Sequence, residues 1–224
     1  MKLSWKGEVL SLAMLAAMFI LAAATWSWAP DRIPVHWTFL GQADRFGGKW
    51  VGLLGVPLAA LGLYVALLLL PRIDPRRANY DAFSGPYTII RTAIVGVMLS
   101  LDVFIHFQIR GWSVGTRLVM PVVAGTIIMI FGNYLPKLKS NWFIDIRTPW
   151  TLSSEESWRK THQLGGRLFV ICGAVIVITS VLAPEQARVV LFGAMMSTIL
   201  ATTVYSYFVW RRDPLRTARG ERES

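Results

Sequence analysis

The chain has 224 residues, 54% hydrophobic and only 16% charged, with a mean hydropathy of +0.48. Soluble domains carry about 25% charged residues, so these proportions exclude an ordinary water-soluble enzyme. Against 13 Asp and Glu stand 23 Lys and Arg, a net charge of +10. In a membrane chain such an excess is read first by the side of the bilayer on which it falls.

The apolar residues come in blocks. Five windows carry no formal charge: 9–30, 50–71, 118–136, 168–184 and 189–210. Each holds about 17 to 22 residues, enough to cross a ~30 Å hydrocarbon core as a helix. A sixth stretch, 87–107, has helical length but contains Arg91, Asp102 and His106. It counts as a span, because backbone in lipid must satisfy its own hydrogen bonds. The fold class expected is therefore all-α: a polytopic membrane protein with six transmembrane helices near 9–29, 51–70, 87–107, 117–135, 166–184 and 188–210. The first is read as a retained anchor. Its apolar run exceeds a signal-peptide core of ~7–15 residues, and Pro30 follows the only small-residue cleavage site, Ala29.

With the N-terminus inside, 17 of the 23 Lys and Arg fall on inner segments. The outer six are Arg32, Arg45, Lys49, Arg110, Arg117 and Arg188. This bias predicts both termini in the cytoplasm. It also absorbs the basic excess, so direct nucleic-acid binding loses its support. Trp26, Trp28, Trp37, Trp50, Trp112 and Trp210 lie near predicted span ends and read as interfacial anchors.

Between the first two spans lies a short outer loop, 31–49, dense in special residues. Pro34 favours an extended chain before His36, while Gly41, Gly47 and Gly48 mark turns. Asp44, Arg45 and Lys49 can pair among themselves. The loop reads either as a ligand-binding surface, through Asp31, His36, Trp37, Gly41, Asp44 and Lys49, or as a tight turn packed on the bundle. In the third span, Asp102 and His106 share a face of its outer half, with Arg91 near the inner end. Ionisable groups at such depth are functional or paired: Asp102 with His106 relays a proton or binds a cation, or the two bond each other. Pro121 and Gly125 can break the fourth span.

The longest inner loop reads GNYLPKLKSNWFIDIRTPWTLSSEESWRKTHQLGG from Gly132. Its aromatics Tyr134, Trp142, Phe143, Trp150 and Trp158 belong at the headgroup boundary or against protein. Ser153 with Glu156 forms a capping box for a helix starting near Ser154, which carries Trp158 and His162 on one face. Gly165 and Gly166 are expected to hinge this short helix from the fifth span. Pro149 keeps Thr148 extended, so Arg147 reaches toward a carboxylate such as Glu155 or toward lipid phosphate. The tail from Arg211 to Arg222 reads as an inner-leaflet anchor.

Catalytic signatures are missing. Of three histidines, His36 and His106 fall on one side and His162 on the other, too few together for a zinc centre. No phosphate loop, G-x-S-x-G elbow or H-E-x-x-H pair occurs. No metal, cofactor or enzymatic activity is expected. Lone Cys172, inside an apolar window, reads as a small core residue.

The run from Gly132 to Gly173 resembles the SdpI family of bacterial membrane proteins. It has the N-Y start at Asn133-Tyr134, the N-x-F-I-x-I-R-T-P-W-T-L core from Asn141 to Leu152, and the W-x-x-T-H-x-x-G-G end from Trp158 to Gly166. The outer loop is similar to a second family of unknown function that often precedes it. Pro34, His36, Trp37, Gly41, Asp44, Phe46, Gly47 and Lys49 fit that pattern, and Thr38 stands where Asn is usual.

The resemblance implies immunity and signalling at the bacterial cytoplasmic membrane: protection from a secreted peptide toxin, and capture of a cytoplasmic transcriptional repressor. It places partner-binding or structural roles on Asn133, Asn141, Arg147, Thr148, Pro149, Trp150, Trp158 and His162. The organisation expected is 1–71 with the outer loop, 72–131 with the third and fourth helices, and 132–224 with the inner loop, last helices and basic tail. The alternative from another class is a small ion-coupled transporter built on Arg91, Asp102 and His106.

Overall fold

A computed structural model describes residues 5–38, 42–112 and 115–214. Its elements in order are α1 (Trp5–Thr25), β1 (Ile33–Trp37), β2 (Ala43–Gly47), α2 (Lys49–Ile73), a 3-10 segment (Arg77–Phe83), α3 (Ser84–Ile109), α4 (Thr116–Tyr134), a 3-10 turn (Leu135–Lys137), α5 (Pro149–Ser153), α6 (Glu155–Leu182) and α7 (Ala187–Arg211). Six of these helices are long and apolar enough to cross a membrane. The chain is a multi-pass membrane protein.

The side-chain distribution fits lipid as the solvent. Leu58, Leu61, Val65, Ile178, Leu182, Met196 and Leu200 point outward, while Ser11, Thr25, Thr161, Ser180, Thr202 and Ser206 are buried. Apolar groups gain nothing by leaving hydrocarbon, so helices associate through close packing and polar contacts instead. Helices α1, α2 and α3 pack on one another, as do α4, α6 and α7, and α3 meets α4 between the two groups.

The tightest junction is α4 against α6, where glycines face glycines in antiparallel order. A Cβ on Gly132 would lie 2.7 Å from the Gly166 carbonyl oxygen, and one on Gly125 would lie 2.8 Å from that of Gly173. The backbones touch because no side chain stands between them. This corrects the reading of Gly165 and Gly166 as a hinge: α6 runs unbroken from Glu155 to Leu182, and these glycines serve packing. Gly165 faces the side chain of Ile146. Helix α4 likewise continues through Pro121 and Gly125.

Capping also differs from expectation. Ser154, not Ser153, is the N-cap of α6, accepting from the Ser157 N–H, and Glu156 binds Arg159 and Lys160 instead. The capping box belongs to α5, where the Thr148 hydroxyl accepts from the Thr151 N–H and the Thr151 hydroxyl from the Thr148 N–H. Pro149 suits the first helical position, since its missing N–H would have had no partner there.

The loop after α1 is a two-stranded antiparallel hairpin with an irregular register, Ile33 opposite Gly47 and Trp37 opposite Ala43. Ile33 is fully buried with Ala22, Ala29, Leu53 and Ile105, and Gly52 gives it room, since a Cβ there would lie 2.5 Å from that of Ile33. At the opposite end of the bundle, segments 72–83 and 135–154 fold over the helix ends. Tyr80, Phe83, Tyr87, Leu135, Leu138 and Trp158 form the core there.

Candidate functional site

The hairpin separates its side chains by role. Trp37 packs edge-on against Phe104 of α3 at 5.2 Å between ring centroids, and Lys49 Nζ donates to the Trp26 carbonyl at 3.1 Å. Both are half-buried anchors. Asp31, His36, Asp44, Arg45 and Phe46 are exposed. His36 Nδ1 donates to Asp44 Oδ1 at 2.6 Å, and that hydrogen bond holds the Asp44 carboxyl below its ordinary value. Arg32 lies over the Phe46 ring. Asp44 therefore pairs with His36, not with Arg45 or Lys49 as the sequence suggested. Gly41 lies outside the described residues.

Inside the membrane two polar groups sit on α3. Arg91 is fully buried and pairs with Glu8 of α1; Tyr64 of α2 donates to the other Glu8 oxygen at 2.8 Å. The guanidinium also lies over the rings of Tyr64 and Tyr87. Asp102 and His106, toward the hairpin, are buried as well. His106 Nδ1 donates to the Asp102 carbonyl at 2.8 Å and lies 3.7 Å from its carboxylate.

The opposite end is a dense polar network. Asn141 bonds with all its capacity: Oδ1 accepts from Phe143 and Ile144 N–H, and Nδ2 donates to the Lys139 and Ile144 carbonyls. Asp74 is buried and accepts from Tyr80 hydroxyl, Trp142 N–H and Arg76 N–H. His162 Nδ1 donates to the Trp158 carbonyl at 2.7 Å, and its Nε2 accepts the Ile146 N–H at 3.0 Å. Arg147 pairs with Asp145 at 2.7 Å rather than with Glu155, because both sit on the same short loop. The Trp158 indole N–H reaches the other Asp145 oxygen at 3.5 Å.

Thr148 bonds Ser206 of α7 at 2.9 Å, Ser157 donates to the Ser206 carbonyl, and Ser154 donates to Asp213 at 2.5 Å. Trp150 meets Tyr207 at 5.3 Å, and Pro149 is exposed beside it. Asn133 is exposed and lines an apolar groove of about 590 Å³ between α3, α4 and α6.

Sequence reasoning passed over Glu8, Tyr64, Asp74, Asp145 and Ser206. Glu8 was legible in principle: an intramembrane arginine needs an opposite charge, and Glu8 lies one residue outside the first uncharged window. Among the described residues no cluster of three metal-ligating side chains forms.

Residues 137–206 match the SdpI/YfhL protein family, and residues 13–61 match a domain of unknown function, DUF1648. Among curated proteins, the immunity protein SdpI of Bacillus subtilis (strain 168) is 20% identical over 207 residues, 92% of this chain and 97% of that protein. No solved structure matches.

Proposed function

This chain carries an SdpI/YfhL family region behind a DUF1648 domain, and we propose on that footing that it is a non-enzymatic immunity protein of the bacterial cytoplasmic membrane. Both termini face the cytoplasm, as the charge bias of 17 to 6 supports, and the hairpin faces outward. There it meets a secreted antimicrobial peptide through Asp31, His36 and Asp44, with Trp37 and Lys49 holding the hairpin in place.

The observation that carries this reading is the hairpin's division of labour. Ile33 and Trp37 lock it onto α2 and α3, while His36, Asp44, Arg45 and Phe46 face out. A pre-ordered surface of that kind costs little entropy on binding.

The cytoplasmic end serves the same protein differently. Asn141, Thr148, Trp158 and His162 spend their hydrogen bonds inside the fold, which supports a bundle-holding role. Trp142, Phe143 and Leu152 remain exposed; they contact the membrane interface or a captured repressor. The transporter reading, built on Arg91, Asp102 and His106, keeps only Asp102 and His106 because Arg91 is paired with Glu8, and it ranks second.

The test compares membrane depolarisation in a deletion strain and its complemented parent under challenge by secreted antimicrobial peptides. Depolarisation confined to the deletion, rescued by the intact gene but not by a His36→Ala, Asp44→Ala double variant, is expected. Equal depolarisation in both strains removes toxin protection and brings transport forward.

A further inference from the structure

Helix α3 carries its two polar sites eleven residues apart, about 16 Å along an axis that rises ~1.5 Å per residue. They differ in how their charge is answered. Arg91 has Glu8. Asp102 is fully buried, and among the described residues no donor reaches either of its carboxylate oxygens. Its ion-pair contact is His106, whose Nδ1 stands 3.7 Å away because that N–H is already given to the Asp102 carbonyl. On the far side of the ring, His106 Nε2 is buried and also without a partner.

Several charged groups around this end are engaged elsewhere, and Asp31 and Arg45 are exposed. Lys49 donates to Trp26, Arg110 lies over Trp28, Arg32 lies over Phe46, and His36 holds Asp44. A bare carboxylate in so apolar a setting is far costlier than a neutral acid. A hard metal cation asks for about six or more oxygens, whereas no third metal-binding side chain joins this pair among the described residues. A proton asks for one lone pair.

We propose that Asp102 and His106 form a one-proton site within the membrane, Asp102 holding the proton as a carboxylic acid and His106 exchanging it with the hairpin end. Loading balances across the ring. A proton from water on the hairpin side forms a bond at Nε2, the Nδ1–H bond breaks, and that proton bonds to Oδ2 of Asp102. The imidazole ends neutral, as its other tautomer, and the reverse steps release the proton.

Exchange is one-sided. Toward the opposite end the site faces an apolar layer of Leu15, Met18, Ala60, Val95, Met98 and Leu99; Tyr64 of the same cluster belongs to the far side of that layer, its hydroxyl already given to Glu8. Directly over the site lies the root of the hairpin, where Trp37 rests on Phe104 and Ile33 beside Ile105. The geometry is that of a proton-binding sensor beneath the outward-facing hairpin, not of a conducting path.

The experiment is infrared difference spectroscopy of the full chain in phosphatidylethanolamine–phosphatidylglycerol vesicles, with the pH stepped upward from neutral and proton flux followed in parallel. A protonated-carboxyl C=O band at neutral pH that is missing from Asp102→Asn is expected, with flux no greater than in protein-free vesicles. Asn copies the shape of the neutral acid, so this variant should fold. If it does not, Asp102→Glu assigns the band by moving its frequency. His106→Phe should keep the band but slow its return after a downward pH jump. A band that is absent, or unchanged in Asp102→Asn or Asp102→Glu, overturns the site. An unaltered rate in His106→Phe overturns the role of His106, and flux above that of protein-free vesicles overturns one-sided exchange.

Discussion

His162 lies flat against Trp158, with ring centroids 3.9 Å apart and planes inclined by 22°. The two residues are one helical turn apart on α6, and the imidazole bridges from the Trp158 carbonyl to the Ile146 N–H. Through that bridge the loop from 139 to 148 is stitched to the helix that follows it, and Asp145 completes the stitch by accepting from the Trp158 indole.

Replacing His162 by Phe keeps a flat ring on Trp158 but removes the acceptor for Ile146. A buried donor left without a partner costs about 1–3 kcal/mol. His162→Phe should therefore lower the unfolding temperature of the purified protein in detergent and open 141–154 to limited proteolysis. His162→Gln, which restores an acceptor of similar reach, should recover part of both. An unchanged proteolysis pattern in His162→Phe would show that the bridge does not hold the loop.

The glycine faces of α4 and α6 make a sharper prediction. Gly125 and Gly132 are seven residues apart, as are Gly166 and Gly173, and they meet in antiparallel register. A Cβ at Gly166 would lie 2.6 Å from the Pro136 ring and 2.7 Å from a backbone oxygen. No rotamer change relieves such a contact, and overpacking costs about 1–3 kcal/mol or more. Gly166→Ala and Gly132→Ala should each destabilise the fold measurably in detergent unfolding. Gly62→Ala, which meets nothing within 4 Å, is the control expected to be neutral.

These cases show where a sequence is readable. Five of the six spans follow from uncharged windows, because hydrocarbon thickness and helical rise leave little freedom, and the sixth from the need of backbone in lipid to satisfy its own hydrogen bonds. The family signature marked Asn141, Thr148, Trp158 and His162 as special, yet gave no hint of their partners, which are backbone groups for Asn141 and His162 and include the side chains of Ser206 and Asp145 for Thr148 and Trp158. The same holds for the glycines. A Gly-Gly pair suggests a flexible joint until a second helix, more than thirty residues earlier in the chain, is known to lie against it. Arg147 was directed toward Glu155 or lipid phosphate because Pro149 keeps Thr148 extended, whereas the carboxylate it meets, Asp145, is two residues away.

The hairpin should respond to acid. Asp44 titrates below its ordinary value chiefly through the hydrogen bond from His36. A group with a depressed value in the folded state contributes stability above its unfolded value, about 3.8, and loses that contribution as pH falls through the lower folded value. The hairpin should thus stay ordered at neutral pH and loosen only in strong acid. Amide exchange at Ile33–Trp37 should accelerate there, and Asp44→Asn should show the faster exchange already at neutral pH. Equal protection in the two proteins at neutral pH would mean that Ile33 and Trp37 alone hold the strands.

The Glu8–Arg91 pair ties α1 to α3 in the half of the membrane opposite the hairpin. Removing one member of a buried pair leaves an uncompensated charge and costs about 3–5 kcal/mol, whereas replacing both with apolar groups is often neutral. Glu8→Gln should be the milder single change, since an amide can still accept from Tyr64 and from Arg91. Arg91→Met should be harsher, because Glu8 then keeps only the Tyr64 hydroxyl in an apolar setting. The double variant Glu8→Leu, Arg91→Met should be less destabilised than Arg91→Met alone. This ordering, read by reversible unfolding in mixed detergent micelles, separates an electrostatic pair from two independent packing residues, for which the losses would simply add.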